Sequence, residues 1–176
     1  MLTIPVMRLR RRASAGQEMA MRQALHYIVH TANPNWRHLL KRLNTKAEAG
    51  DVLGAEEAYA SIRKGCPAMG EKTVLFNSIL KACAKRGDLR QATLWYCRMR
   101  EANTRMNEKT FGKMIEAAAK TGDADWACFW LEAMCREFPA SRVAVGTAID
   151  ACARAGRWDA AVCMFERSLL DGIEPD

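Results

Sequence analysis

Basic side chains recur at one place in successive stretches of the chain, and together they could bind a polyanion. Lys85, Lys120 and Arg154 each stand two residues before a glycine. Repeated cations can follow the phosphates of a nucleic-acid strand, with a log–log salt slope of ~0.7 per neutralised phosphate on a single strand. The alternative is that they are solvated residues near helix C-termini, where the macrodipole favours positive charge. Their repetition favours phosphate binding. Glu48 stands at the same distance before an earlier glycine, Gly50, and interrupts this pattern.

Cysteine and histidine, the usual ligands of a zinc ion, form no recognisable metal site. Cys128 and Cys135 could share a helix face at a spacing of seven, but two thiols without a further partner are a poor zinc site. His26 and His30 lie one turn apart without the glutamate of an HExxH motif. We therefore expect no metal and no other cofactor.

The cysteines also indicate the redox compartment. They contain no CxxC and are spread over the chain, at Cys66, Cys83, Cys97, Cys128, Cys135, Cys152 and Cys163. This pattern favours reduced thiols inside a helical stack over a secreted disulfide framework.

Catalytic constellations are not found in the sequence. The three histidines, His26, His30 and His38, lie outside the best-formed repeats, and no Ser/His/Asp or Cys/His arrangement accompanies them. There is also no glycine-rich loop that could cradle a phosphate. We expect a binding protein and not an enzyme.

Composition limits the class of protein. The chain has 176 residues, of which 49% are hydrophobic and 27% charged, so it is too apolar to be disordered throughout. A net charge of +7 and a pI near 9.2 favour a polyanionic partner, with nucleic acid the first candidate. No run reaches the ~18 apolar residues that a membrane span needs, so we expect no membrane association.

The N-terminal residues 1–16 are basic. Arginines stand at positions 8, 10, 11 and 12, and no acid precedes Glu18. The segment fits an organelle transit peptide or a disordered basic tail, and both interpretations stay open. In the first case the protein belongs in a mitochondrion or plastid, and otherwise in the cytoplasm.

Residues 17–32 carry an apolar stripe at helical spacing, formed by Met21, Ala24, Leu25, Ile28 and Val29. Because the end units of a repeat array need a lid over their open apolar side, we predict an N-terminal capping helix here.

The remainder of the chain is an array of repeats. Ala82–Asp88, Ala117–Asp123 and Ala151–Arg157 are near copies, and Lys46–Asp51 is an earlier, more divergent one. Their glycines at 50, 87, 122 and 156 are separated by 37, 35 and 34 residues, a period typical of stacked helix pairs. Setting the copies in register gives unit 1 (36–72, degenerate), unit 2 (73–107), unit 3 (108–141) and unit 4 (142–176).

Each unit is predicted to contain two helices. In unit 2 the first helix runs from about Val74 to Lys85, Gly87 ends it, and Asp88 caps the second. Small residues that let the paired helices approach recur at one place of the second helix, at Ala55, Ala92, Ala127 and Ala161.

Most aromatic side chains are predicted to fill the core. The buried set on the second helices is Tyr59, Trp95, Tyr96, Trp130 and Phe165. Trp126 and Trp158 lie nearer the turns, and we expect them to be partly exposed.

These motifs resemble the pentatricopeptide repeat (PPR) family. The stretch Thr73–Leu80, the Ala-Cys-Ala-Lys-Arg-Gly-Asp-Leu run that follows it, and the final Gly172–Asp176 carry the resemblance over residues 36–176. The turn within Ile149–Trp158 is also similar to dinoflagellate-type PPR arrays. The tetratricopeptide family has a similar period, but its Trp-x-x-Leu-Gly-x-x-Tyr start is absent here. The resemblance implies an all-α, right-handed α-solenoid of stacked helix-turn-helix repeats.

The same resemblance implies single-stranded RNA binding in a groove lined by the first helices, with about one base read per repeat. The second, fifth and last residues of a unit meet the base, which in unit 2 are Val74, Asn77 and Asn107. The Asn/Asn pair implies a pyrimidine. Lys85, Lys120 and Arg154 fall where the family contacts phosphates.

The other units depart from this pattern. The equivalent residues are Lys109, Gly112 and Ser141 in unit 3, and Val143, Gly146 and Asp176 in unit 4. Glycine has no side chain to read a base edge, so we expect these units to bind loosely. Unit 1 has Leu40 at the reading place and is expected to read nothing.

Two functions remain open. The first is an RNA-binding adaptor, without a cofactor, that acts in processing, stability or translation of an organelle transcript, together with other proteins of an organelle RNA complex. The second is an α-solenoid scaffold for protein interactions whose RNA readout has decayed, which the glycines at 112 and 146 favour.

Overall fold

Every regular element in the described part of the chain is an α-helix. The computed structural model describes residues 36–65 and 72–173. Its helices are α1 (Trp36–Glu48), α2 (Val52–Gly65), α3 (Thr73–Arg86), α4 (Leu89–Glu101), α5 (Glu108–Thr121), α6 (Ala124–Cys135), α7 (Arg142–Arg154) and α8 (Trp158–Leu170). This confirms the predicted all-α repeat solenoid, while its handedness stays a prediction. The predicted tail at 1–16, the predicted capping helix at 17–32, Cys66 and Asp176 lie outside the described residues.

The helices of residues 36–173 form two layers. The first helices α1, α3, α5 and α7 pack on one another in chain order. Each second helix packs on the first helix of its own pair, and α2, α4 and α6 pack also on the first helix of the next pair. Since the backbones of the second helices make few contacts with one another, the first helices form the more closely spaced layer.

The turn between α3 and α4 shows why the sequence makes a helix pair here. Gly87 has a φ of 74°, in the left-handed region that glycine adopts without a Cβ clash. Its N–H donates to Ala84 O at 3.1 Å, and the Asp88 N–H donates to Cys83 O at 2.9 Å, which satisfies two carbonyls at the end of α3. The Asp88 carboxylate then accepts from Gln91 N at 2.9 Å and caps α4, as predicted.

The core lies between the two layers. The four repeated alanines are at most 5% exposed, and so the second helices approach the first closely. Aromatic rings join successive pairs: the Tyr59 centroid lies 5.7 Å from that of Phe76 and 5.1 Å from that of Trp95. The predicted burial of Tyr59, Trp95 and Trp130 is confirmed.

Two aromatic predictions were wrong in degree. Phe165 is 38% exposed and Tyr96 is half-buried, although both were assigned to the core. Tyr59 stands at the place of Phe165 in its own pair and is covered by Trp95 of the next pair. Within residues 36–173 no helix follows α8, so Phe165 has no such cover.

Trp126 and Trp158 are 43% and 65% exposed, as their positions near the turns predicted. None of the helices in the described residues is long and apolar enough to cross a membrane.

Candidate nucleic-acid interface

The first-helix layer presents the predicted base-reading positions to solvent in different degrees. Val74 and Val143, which were assigned to base sandwiching, are 52% and 75% exposed. Lys109 is also exposed, and Asn77 is half-buried. The second residue of each unit, Val74, Lys109 or Val143, is therefore accessible to a ligand in units 2, 3 and 4.

Asn77 and Asn107 of unit 2 are in direct contact. Asn77 Nδ2 donates to Asn107 Oδ1 at 3.1 Å. Asn107 is also the N-cap of α5, and its Oδ1 accepts from the backbone N–H of Thr110 at 3.2 Å. Asn77, the fifth residue of unit 2, thus contacts Asn107, the last residue of that unit. Asn107 in turn caps α5, the first helix of unit 3.

The reading positions of units 3 and 4 lack such a pair. A Cβ added at Gly112 or Gly146 would meet nothing within 4 Å, so both positions are open. Ser141 caps α7, where its Oγ accepts from Ala144 N at 3.4 Å. Leu40, the corresponding residue of unit 1, is half-buried. Asn77 and Asn107 are the predicted reading residues that the described structure brings into contact.

The three repeated cations lie at the same end of the first-helix layer. All three are exposed and stand in the last turn of α3, α5 and α7. Lys120 Nζ donates to the backbone oxygen of Lys85 at 3.3 Å, so the first two are neighbours across units 2 and 3. Among the described residues Lys85 forms no ion pair within 4 Å, and the residue is exposed to solvent.

Acidic side chains lie among these cations. Lys120 Nζ is 3.4 Å from Glu116 Oε1, and Lys113 Nζ is 2.7 Å from Glu116 Oε2. Arg154 Nη2 lies 2.7 Å from Asp150 Oδ2, and its Nε donates to Asp150 Oδ1 at 3.0 Å. Two of the three predicted phosphate contacts are therefore paired within the protein, and a phosphate must compete with a carboxylate for them.

In unit 1 the charge relation is reversed. Glu48, which replaces the cation, forms an ion pair with Lys81 of unit 2. The hydrogen bond from Lys81 lowers the pKa of Glu48, and the charges of Lys81 and Lys85 act in the same direction. The pKa of Glu116 is lowered as well, because the hydrogen bond and charge of Lys113 and the charge of Lys120 outweigh burial, which alone would raise it. Both carboxylates are thus held ionised next to the cations.

Sequence reasoning missed Lys81, Lys113, Glu116 and Asp150. A signal was present, because Glu116 and Lys120, like Asp150 and Arg154, are four residues apart on one helix, the spacing of an intrahelical ion pair. It also missed Thr110, a residue with 0% exposure that contacts both asparagines.

A shallow cavity of about 510 Å³ adjoins the sandwiching position of unit 2. Lys72, Thr73 and Val74 form one side, and the loop 102–105 forms the other. The Thr73 hydroxyl donates to the backbone oxygen of Arg105 at 2.7 Å and holds the two sides together. Lys72 and Arg105 make the cavity cationic.

No group of three or more potential metal ligands occurs within residues 36–65 and 72–173. Cys128, which was weighed as a ligand with Cys135, instead contacts Cys152, with the two Sγ atoms 3.4 Å apart. Burial and the neighbouring Cys152 raise the pKa of Cys128 to about 12, so this thiol is protonated at neutral pH.

Comparison with known proteins gave two matches. A family model described as PPR repeat family matches residues 71–120, and a model described as PPR repeat matches residues 143–173. The first stretch contains α3, α4 and nearly all of α5, and the second contains nearly all of α7 together with α8. The search of curated proteins found no match.

Proposed function

Because the chain belongs to the pentatricopeptide repeat family, whose members typically bind RNA, we propose that its first-helix layer binds single-stranded RNA. The protein acts as an adaptor in the processing, stability or translation of an organelle transcript, in a mitochondrion or plastid. It works without a catalytic site of its own, and its other partners are proteins of the same RNA complex.

One observation carries the proposal. Lys85, Lys120 and Arg154 stand at the same end of three successive first helices, and Lys120 reaches the backbone of Lys85. A strand running across these helices meets one cation per unit, which is the arrangement that a regularly spaced phosphate backbone requires. The net charge of +7 supports a polyanionic partner.

Base recognition in this proposal is confined to unit 2. Asn77 and Asn107 read one pyrimidine, and Val74 packs against its ring. Lys109, Ser141, Val143 and Asp176 take the corresponding places in units 3 and 4, where Gly112 and Gly146 offer no side chain. Those units hold the backbone and add little selectivity.

Titration of labelled single-stranded RNA at two salt concentrations tests the proposal. The triple variant K85E/K120E/R154E is expected to lose at least about tenfold in affinity at low salt. The log–log salt slope falls by about 2, since each of three phosphate contacts contributes ~0.7. The matched control reverses three exposed cations at the C-terminal ends of the second helices, K64E/R100E/R136E, and is expected to retain most of the affinity.

An equal loss in both triple variants contradicts the assigned groove, because net charge alone would then explain binding. If the wild-type chain binds no RNA, the function itself is wrong.

A protein-interaction scaffold is the second candidate. It is favoured by apolar side chains exposed on the second-helix layer, where Leu94 is 49%, Trp126 43% and Phe129 46% exposed. Exposed apolar side chains on neighbouring helices are typical of protein contact surfaces. RNA titration separates the two candidates, since a scaffold of this kind requires no RNA affinity.

A further inference from the structure

Thr110 is buried between the two asparagines of unit 2, outside the positions that the resemblance to the PPR family implies for base reading. Its side chain has 0% exposure and cannot touch RNA. The Thr110 hydroxyl lies 2.9 Å from Asn77 Oδ1 and 3.2 Å from Asn107 Oδ1, and the backbone N–H of Asn107 donates to it at 3.3 Å. A single threonine thus contacts both reading residues.

These contacts fix which end of each amide is oxygen. The backbone N–H of Thr110 is a donor only, so the atom of Asn107 that faces it must be Oδ1. Asn77 presents its amide nitrogen to the same oxygen. Its own Oδ1 then faces the Thr110 hydroxyl, whose one proton goes to this nearer acceptor at 2.9 Å. The orientation of Asn77 therefore follows from the cap of α5.

The network leaves an unequal set of groups for a ligand. Asn107 Oδ1 has two lone pairs, and the Thr110 N–H and Asn77 Nδ2 occupy them. Both N–H bonds of Asn107 Nδ2 remain, together with one N–H and one lone pair of Asn77. Three donors and one acceptor of the two amides thus remain for a base bound at Asn77 and Asn107.

This excess of donors suits pyrimidines. The pairing edges of cytosine and uracil each carry two acceptors and one donor position, whereas that of adenine carries one of each. A bound pyrimidine therefore leaves fewer of these donors without an acceptor than a bound adenine does, and the arrangement favours the pyrimidine.

We propose that Thr110 is a positioning residue for base selectivity, which locks the Asn77 and Asn107 amides in the orientation that favours a pyrimidine. The inference rests on the proposed RNA-binding function and deepens it. Without the Thr110 hydroxyl, the Asn77 amide keeps only its hydrogen bond from Nδ2 to Asn107 Oδ1, so its oxygen is no longer held in place and selectivity falls.

The test compares Thr110→Val, which removes the hydroxyl, with Thr110→Ser, which keeps it. Affinities are measured for short homopolymers of uridine, cytidine and adenosine. In Thr110→Val the ratio of pyrimidine to adenosine affinity is expected to fall about fivefold, the value of one hydrogen bond. Thr110→Ser is expected to keep the wild-type ratio. The salt slope, which reports phosphate contacts, is expected to be the same in both variants.

Each other outcome contradicts the inference. If Thr110→Val keeps the wild-type ratio, the hydroxyl does not set selectivity, although RNA binding stands. If Thr110→Ser, which keeps the hydroxyl, loses as much as Thr110→Val, the packing of the side chain and not its hydroxyl is responsible. Should circular dichroism show that Thr110→Val is unfolded, Thr110→Ala removes the same hydroxyl without adding a methyl group beside the amides. If the wild type binds no RNA, the proposed function fails first.

Discussion

The indole Nε1 of Trp95 donates to Glu56 Oε1 of the preceding pair at 2.7 Å. Trp130 stands at the same place one unit later, and its buried Nε1 has no acceptor among the described residues. The difference arises because Thr93 takes the place of Glu56 in unit 2. The hydroxyl of Thr93 instead donates to the backbone oxygen of Leu89 at 2.9 Å within its own helix.

Supplying an acceptor at this place is expected to stabilise the fold. Thr93→Glu should raise the free energy of unfolding by about 1 kcal/mol, because it satisfies a buried donor that is otherwise unpaired. Urea denaturation measures the change. The control is Trp130→Phe, in which Thr93→Glu should bring no gain, and an equal gain in that background would exclude the indole as the cause.

Neutralising Asp150 is expected to strengthen RNA binding. Asp150 holds Arg154 through two contacts, and both side chains are at least half exposed, so breaking the pair costs the fold little. In Asp150→Asn the guanidinium is released for a phosphate, and affinity at low salt should rise about threefold, with a smaller gain at high salt. Glu166→Gln, the same charge change on α8, should have a weaker effect. A lower affinity of Asp150→Asn would contradict the role given to Arg154.

Gly112 offers a gain of function at an open position. Because an added Cβ meets nothing within 4 Å, Gly112→Ala should stabilise the chain by about 0.5–1 kcal/mol through helix propensity alone. Gly112→Asn adds an amide at the reading place and should change the ratio of affinities for uridine, cytidine and adenosine homopolymers. The alanine variant should leave those ratios unchanged. Unaltered ratios in both variants would show that this place does not face a base.

Cys83 makes stability depend on pH in the alkaline range. Burial is the main cause that raises its pKa to about 12 from an ordinary 9.0, and the charges of Asp88 and Glu56 add to it. Above pH 9.0 the unfolded thiol ionises while the folded thiol stays protonated, so the unfolded state is favoured as pH rises towards 12. The loss is at most about 1.4 kcal/mol per pH unit. Denaturation of wild type and Cys83→Ala between about pH 8 and pH 10 checks this, and parallel losses in the two proteins would contradict it.

The helix pairs were predictable because their signals are local. Gly87 and Asp88 are adjacent to the elements that they end and begin, and the alanines at 92 and 127 repeat at a fixed offset from the turn. The burial of Trp95 could be inferred for the same reason, because its place on the second helix follows from its distance to the turn. Phe165 was assigned wrongly because its exposure depends on what packs beyond its own pair.

The candidate site was predictable only in its positions. Sequence spacing placed Lys120 and Arg154 in the last turns of their helices, but their pairing with Glu116 and Asp150 depends on rotamers that a period does not determine. The network around Thr110 joins residues 33 positions apart in α3 and α5, a relation that requires the packing of two units.

The glycine turns also set the distance between successive units. A methyl group on Gly87 would lie 3.2 Å from Lys120 Cβ, and one on Gly50 would lie 3.3 Å from Lys85 Cβ. Because glycine has a hydrogen atom in place of a side chain, the first helix of the next unit can lie a few tenths of an ångström closer to each of these turns. Under the proposed function this spacing limits the rise per nucleotide that the protein can match. A change at Gly87 would then shift the length of strand that is bound without altering any group that contacts the RNA.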